Sequence, residues 1–160
     1  SRLRLFAIPE AAHEVVLQRL THLGIEAARV EVADRIAHEA FLAAHGDVDV
    51  ALDPFPCVGT TTTLFTLAMG VPLVTLAGRT HASRVSASAL AELGLDRLVA
   101  SNETDYVALA ARTAQDAVFL RECRSGLRER MLASAIMDEA GFTRRLESAY
   151  RDAWRRRCAA

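Results

Sequence analysis

The stretch Asp53-Pro-Phe-Pro-Cys-Val-Gly-Thr-Thr-Thr-Thr63 concentrates the residues of this sequence best suited to binding chemistry. A helix that starts inside the threonine run offers unpaired backbone N–H groups and the positive end of its dipole. Those are the elements of an anion site, and threonine hydroxyls add further donors. Gly59 brings the backbone close to a ligand because no Cβ stands in the way. An ordinary strand-to-helix turn capped by a threonine would carry the same residues, so the residues alone leave both readings open. The loop contains neither G-x-x-x-x-G-K-[ST] nor G-x-G-x-x-G, which argues against a P-loop and a dinucleotide fingerprint.

Other candidate groups read more plainly. His13-Glu14 and His38-Glu39 each open an H-E-x-x-H pattern, but Leu17 and Leu42 stand where the second histidine belongs, so no zinc site is expected. His22 and His45 read as surface or loop residues, and His81 either faces a cleft or caps a helix. Ser83 lacks a G-x-S-x-G elbow and is a poor nucleophile. Asp47, Asp49 and Asp53 alternate, which places them on one sheet face; solvation at strand ends accounts for them. Asp138-Glu139 reads as loop surface. All nineteen basic residues are arginine, so lysine Schiff-base chemistry and a P-loop lysine are excluded for this chain acting alone.

Alternating strand and helix signals must position these groups. Strands are expected at Leu3–Ala7, Arg29–Val32, Val48–Leu52, Val71–Leu76 and Arg97–Ala100. Helices are expected at Glu10–Leu23, His38–Ala44, Thr62–Met69 and Ser83–Leu93, with glycines at 24, 46, 70 and 94 as stops. Ser101 or Asn102 caps the next helix, which ends near Asp116. Two more follow, about Ala117–Ala133 and Phe142–Arg157. On the last, Phe142, Leu146, Tyr150, Ala153 and Trp154 recur at three- and four-residue spacing and are expected to pack as a core stripe. Its terminal arginines complement the helix dipole. Such alternation predicts a parallel sheet with helices on both faces, a Rossmann-like three-layer α/β/α domain with C-terminal helices. In such folds ligands bind beyond the carboxyl ends of strands.

With 160 residues, 51% of them hydrophobic, the chain suits one domain with a substantial core, spanning 1–160. A net charge of −1 argues against nucleic acid or an anionic membrane as the main partner. The uncharged run from Pro54 to Gly78 is broken by three prolines and three glycines, so no membrane span is expected. Three widely spaced cysteines without a C-x-x-C pair, and no basic-then-apolar leader, fit a cytoplasmic protein.

The loop above, followed by Met69-Gly-Val-Pro-Leu-Val-Thr-Leu-Ala-Gly78 and His81-Ala-Ser-Arg-Val85, resembles the C-terminal catalytic lobe of the protein O-GlcNAc transferases. The likeness extends upstream through Asp49-Val-Ala-Leu-Asp53. Downstream it runs through Gly94-Leu, Arg128-Glu-Arg-Met-Leu-Ala-Ser134 and Ala149-Tyr-Arg-Asp-Ala-Trp154. The resemblance implies the donor-binding half of a GT-B glycosyltransferase, one that transfers N-acetylglucosamine from UDP-GlcNAc to Ser or Thr hydroxyls of protein acceptors. It implies that Thr61 and Thr62 bind the donor diphosphate and that Thr60 fills a position taken by His or Thr. Ala33 matches the residue whose backbone pairs with uracil, and His38 the histidine that packs on the base. Arg35 stands where a lysine contacts the ribose.

Phe65 departs from the pattern, since the family carries Asp or Glu there for the ribose hydroxyls and a phenyl ring cannot accept those bonds. Val58 replaces an Asn. The tetratricopeptide repeats, the N-terminal catalytic lobe and a phosphate-contacting lysine of the family are not in this sequence, so those parts are expected as partners and any acceptor-activating group is expected outside the chain. No metal or other cofactor is expected. Two further readings remain: a degenerate, non-catalytic interaction domain of the same fold, or another GT-B enzyme acting on UDP-sugars, such as an epimerase.

Overall fold

The strand and helix signals resolve into two parallel sheets. The computed structural model describes residues 1–159. It divides the chain into two units, Ser1–Ala44 and the remainder from His45 onward.

In the first unit β1 (Leu3–Leu5) pairs parallel with β2 (Val30–Val32), Leu3 opposite Val30. Between them runs α1 (Glu10–His22), and α2 (His38–Ala44) follows β2. The first strand ends two residues earlier than the apolar run. Ala7 takes a φ of 59°, a left-handed value that breaks strand geometry and that alanine rarely adopts. Pro9 sits just ahead of α1, and Gly24 beyond its end has a φ of 82°. The Ile25 N–H returns to Leu20 O at 3.0 Å, satisfying a carbonyl the helix end would leave open. Phe6 and Phe41 meet edge to face with centroids 5.8 Å apart.

In the second unit β3 (Ala51–Leu52), β4 (Leu73–Leu76) and β5 (Val99–Ala100) form a parallel sheet in that order. Ala51 lies opposite Leu73, and Thr75 opposite Val99. The crossovers are α3 (Thr61–Ala68) and α4 (Val85–Glu92), followed by α5 (Glu103–Gln115), α6 (Ala117–Leu132) and α7 (Glu139–Cys158). Leu73, Val74 and Thr75 of the central strand are buried, as expected when a parallel strand is covered on both faces. Leu67 of α3, Leu90 of α4, Leu109 of α5 and Phe119, Leu127 and Met131 of α6 pack into the same core. Asn102, Asp116 and Asp138 each accept a backbone N–H at the start of α5, α6 and α7.

Several expectations are corrected here. The strand expected over Val48–Leu52 shrinks to Ala51–Leu52. Part of its place is taken by the Arg124 guanidinium, which donates to Val48 O at 2.6 Å and to His45 O and Met69 O at 3.0 Å. Gly70, with a φ of 76°, lets the α6 backbone pack close: a Cβ there would stand 3.0 Å from Arg124 Cα and O. His45 is buried rather than exposed, with Nε2 3.1 Å from Thr66 Oγ1. Asp138 and Glu139 lie at the surface as expected, but they form the N-cap and first residue of α7, which starts three residues before the expected Phe142. The apolar stripe of α7 is not core: Phe142, Leu146, Tyr150 and Trp154 are 59, 39, 68 and 70% exposed. Periodicity shows that a helix face is apolar, not what it meets. No helix of the described residues is long and apolar enough to cross a membrane.

Candidate functional site

The turn between β3 and α3 is built around a buried carboxylate. Asp53 follows the last residue of β3, and its own N–H extends the ladder by bonding Val74 O at 3.0 Å. That pins its side chain beneath the loop. Asp53 Oδ1 accepts the Gly59 N–H at 2.9 Å, and Oδ2 accepts the Thr75 hydroxyl at 2.7 Å. The Asp53 carbonyl accepts the Tyr106 hydroxyl at 3.0 Å. Asp53 is thus a structural anchor, not the solvated strand-end residue that its place in an alternating acidic run suggests. Burial pushes the Tyr106 phenol up to about 12, and the Asp53 charge adds to the rise. Tyr106 also meets Phe55 edge to face at 5.4 Å, just ahead of the cis Phe55–Pro56 bond.

On the other side of Gly59, its carbonyl accepts the Ser86 hydroxyl at 3.0 Å, and Ser86 Oγ lies 2.9 Å from Thr63 Oγ1. With Ser86 donating to Gly59, Thr63 must donate to Ser86. A Cβ on residue 59 would stand 2.8 Å from Thr63 Oγ1, so the space a Cβ would need is filled by protein atoms, where the sequence suggested close approach to a ligand.

From this anchored peptide the chain enters α3 through Thr60. The Thr60 side chain makes no capping hydrogen bond, which removes the simple threonine-cap reading of the turn. Leu64 N–H closes the first turn on Thr60 O at 3.1 Å, and the N–H groups ahead of it have no partner within a helix. Thr60, Thr61 and Thr62 are exposed, whereas Thr63 and Thr66 are buried. The structure therefore brings the three exposed threonines to one helix start, where an anion would meet backbone N–H groups and hydroxyls together. Phe65 is half-buried and lies one turn on, four residues after Thr61 and on the same helix side.

The other three predicted residues lie in the first unit, on the connection from β2 to α2. Ala33 donates its N–H to Leu5 O at 2.8 Å, and its carbonyl accepts Ile8 N–H at 3.1 Å. Arg35 is exposed, with its backbone N–H held by Asp34 Oδ1 at 3.0 Å. His38 is the first residue of α2 and is exposed. Both groups of candidates thus follow the carboxyl end of a parallel strand, where open α/β sheets bind ligands.

His81 opens a short 3-10 turn, His81–Ser83, capped reciprocally by Thr80 and Ser83. Ser83 is buried and its hydroxyl donates to Thr80 O at 2.9 Å, so it is committed to the turn. A groove of about 790 Å³ in the second unit runs along α4 past His81, Arg84, Ile136 and Arg145 and does not include the threonine turn. Sequence reasoning missed Asp53, Thr75, Ser86 and Tyr106 as a set. The only local signal was an Asp six residues before a glycine; the rest of the set is far away in sequence.

Residues 1–146 match the family described as Glycosyl transferase family 41. A barley protein named probable UDP-N-acetylglucosamine–peptide N-acetylglucosaminyltransferase SPINDLY is 45% identical over 93% of this chain, which spans 16% of that relative. A Caenorhabditis elegans UDP-N-acetylglucosamine–peptide N-acetylglucosaminyltransferase is 30% identical over 98% of the chain and 14% of its own length. A solved structure of a mutant O-GlcNAc transferase from Thermobaculum terrenum superposes with a TM-score of 0.90 at 35% identity, covering 99% of this chain and 32% of that one. The expected Rossmann-like α/β fold, that of a catalytic lobe of O-GlcNAc transferase, is the fold observed.

Proposed function

The chain belongs to glycosyl transferase family 41, and on that premise we propose that it is the donor-binding lobe of a protein glycosyltransferase. The donor is a UDP-sugar, UDP-GlcNAc by the names of the relatives, and the acceptors are Ser or Thr hydroxyls of proteins. The observation that carries this reading is the start of α3, where Thr60, Thr61 and Thr62 are exposed on a turn anchored from beneath. As the bond from sugar to phosphate breaks, negative charge grows on the departing UDP. Fixed N–H dipoles and hydroxyls aimed at that charge lower the barrier because they need no reorganisation when it forms. On this account the leaving group requires no metal.

Ala33, Arg35 and His38 are assigned to the uridine. The Ala33 N–H is already spent on Leu5, so Ala33 offers uracil only the second lone pair of its carbonyl. Arg35 brings positive charge to the ribose or phosphates, and His38 a ring face to the base. The group that deprotonates the acceptor belongs to polypeptide outside this chain, together with the repeats and second lobe named above. Three free cysteines fit a reducing compartment, and the cytoplasm is the assigned one.

Titration of the 160-residue chain with UDP, followed by calorimetry or by backbone NMR shifts, tests the reading. Saturable shifts at residues 33–38 and 60–65 are expected. No saturable response at millimolar UDP would favour the degenerate domain, for which the phenyl ring at position 65 is the specific support.

A further inference from the structure

Gly59 immediately precedes the exposed threonines, and its N–H and C=O are both held by buried side chains, one six residues back in the same loop and one on α4. Asp53, fixed by Thr75 of β4, takes the N–H; Ser86 of α4, supplied by Thr63, takes the carbonyl. Asp53, Thr63, Thr75 and Ser86 are all buried. From this we infer that Asp53 and Ser86 are positioning residues for the anion-binding turn, acting through Gly59 on Thr60–Thr62. The inference rests on the donor-site reading proposed above.

A residue clamped at one end only can still rotate about its neighbours. Clamped at N–H and C=O together, it fixes the direction in which the chain enters α3, and with it the aim of the next N–H groups and hydroxyls. A ligand then meets a turn that has already lost its conformational freedom, which is what preorganisation contributes to affinity. The hydrogen-bond polarity is determined throughout. Thr75 donates to the carboxylate, Thr63 to Ser86, and Ser86 to Gly59, so removing one hydroxyl leaves a named neighbour without its partner.

The test uses Ser86→Ala, because alanine suits the interior of α4. The variant is expected to fold, to bind UDP roughly five- to tenfold more weakly, in keeping with one lost net hydrogen bond, and to exchange the Gly59 and Thr61 amide protons faster. If the effect passes through the turn, Ser86→Ala and Thr61→Ala should be non-additive, the double variant losing less affinity than the product of the two single losses. A purely structural serine would lower the melting temperature without that coupling. A folded Ser86→Ala protein with unchanged UDP affinity overturns the inference.

Should Ser86→Ala unfold, Asp53→Asn serves instead. It keeps an acceptor for Gly59 but turns an amide toward Thr75, and the same drop in affinity and faster Gly59 exchange are expected; unchanged affinity again overturns the inference. If the wild-type chain shows no saturable UDP binding, the donor-site reading itself fails, and the clamp is judged on exchange alone. Unchanged protection at Gly59 and Thr61 in the variant would then refute it.

Discussion

In the proposed donor site, Phe65 is the residue on which nucleotide affinity would turn. It is half-buried one turn into α3, on the side shared with Thr61. If a ribose approaches that side, Phe65→Glu supplies one or two charge-assisted hydrogen bonds, each worth about 1.5–3 kcal/mol at best. UDP affinity should rise about tenfold or more, read by calorimetry, while a melt reports whether the fold tolerates the carboxylate. Unchanged affinity in a stably folded Phe65→Glu protein would remove residue 65 from the ribose side. Tyr106 carries a different signature. Its phenol is pushed up to about 12 by burial, with the Asp53 charge adding to it, against 10.0 for the unperturbed group. Between those values the unfolded chain gives up its proton while the folded chain keeps it. Stability is therefore full below about pH 10 and falls as pH rises toward 12. Cys123, raised to about 11 by burial, acts in the same sense from a lower pH. Denaturant titrations at increasing pH should show the decline, and Tyr106→Phe should flatten its upper part.

Among the elements, α7 departs furthest from what its pattern suggested. Its helix is well specified: Asp138 caps it, Arg151 pairs with Glu147 at 2.9 Å, and arginines fill the last turn. Yet only Gly141 of this helix is buried, so its aromatic residues add little to the stability of this chain. Trp154→Ala should change unfolding free energy by less than about 0.5 kcal/mol, as at an ordinary surface position. Leu90→Ala, in the fully buried part of α4 against the central sheet, should cost about 2–5 kcal/mol. Thermal or urea unfolding of the two variants side by side checks the contrast. A Trp154→Ala loss comparable with the Leu90→Ala loss would mean that α7 packs in solution.

At the scale of the molecule, the chain spans 16% of its barley relative and 32% of the solved structure it superposes on. Group transfer needs donor and acceptor held together, and in the proposed reading the threonine turn supplies charge stabilisation for a leaving group only. The 160-residue chain alone should therefore bind UDP without moving sugar. Incubation with UDP-GlcNAc and an acceptor protein, read by intact mass, should show no added hexosamine. Measurable transfer would place the whole active site in this chain.

The sequence by itself determined the kinds and order of the elements and the address of the turn. Apolar periodicity, capping residues and glycine stops are local signals, and they put the start of α3 within one residue of its place. What only the tertiary structure decided was contact between residues far apart in sequence: Asp53 with Thr75, Ser86 with Gly59, Arg124 with the carbonyls at 45, 48 and 69. The burial of His45 and the exposure of the α7 stripe belong with these. An alternating acidic run or an amphipathic helix has the same pattern whether its face meets core or solvent. The choice is made by the elements that pack there, and that information is distributed over the whole chain.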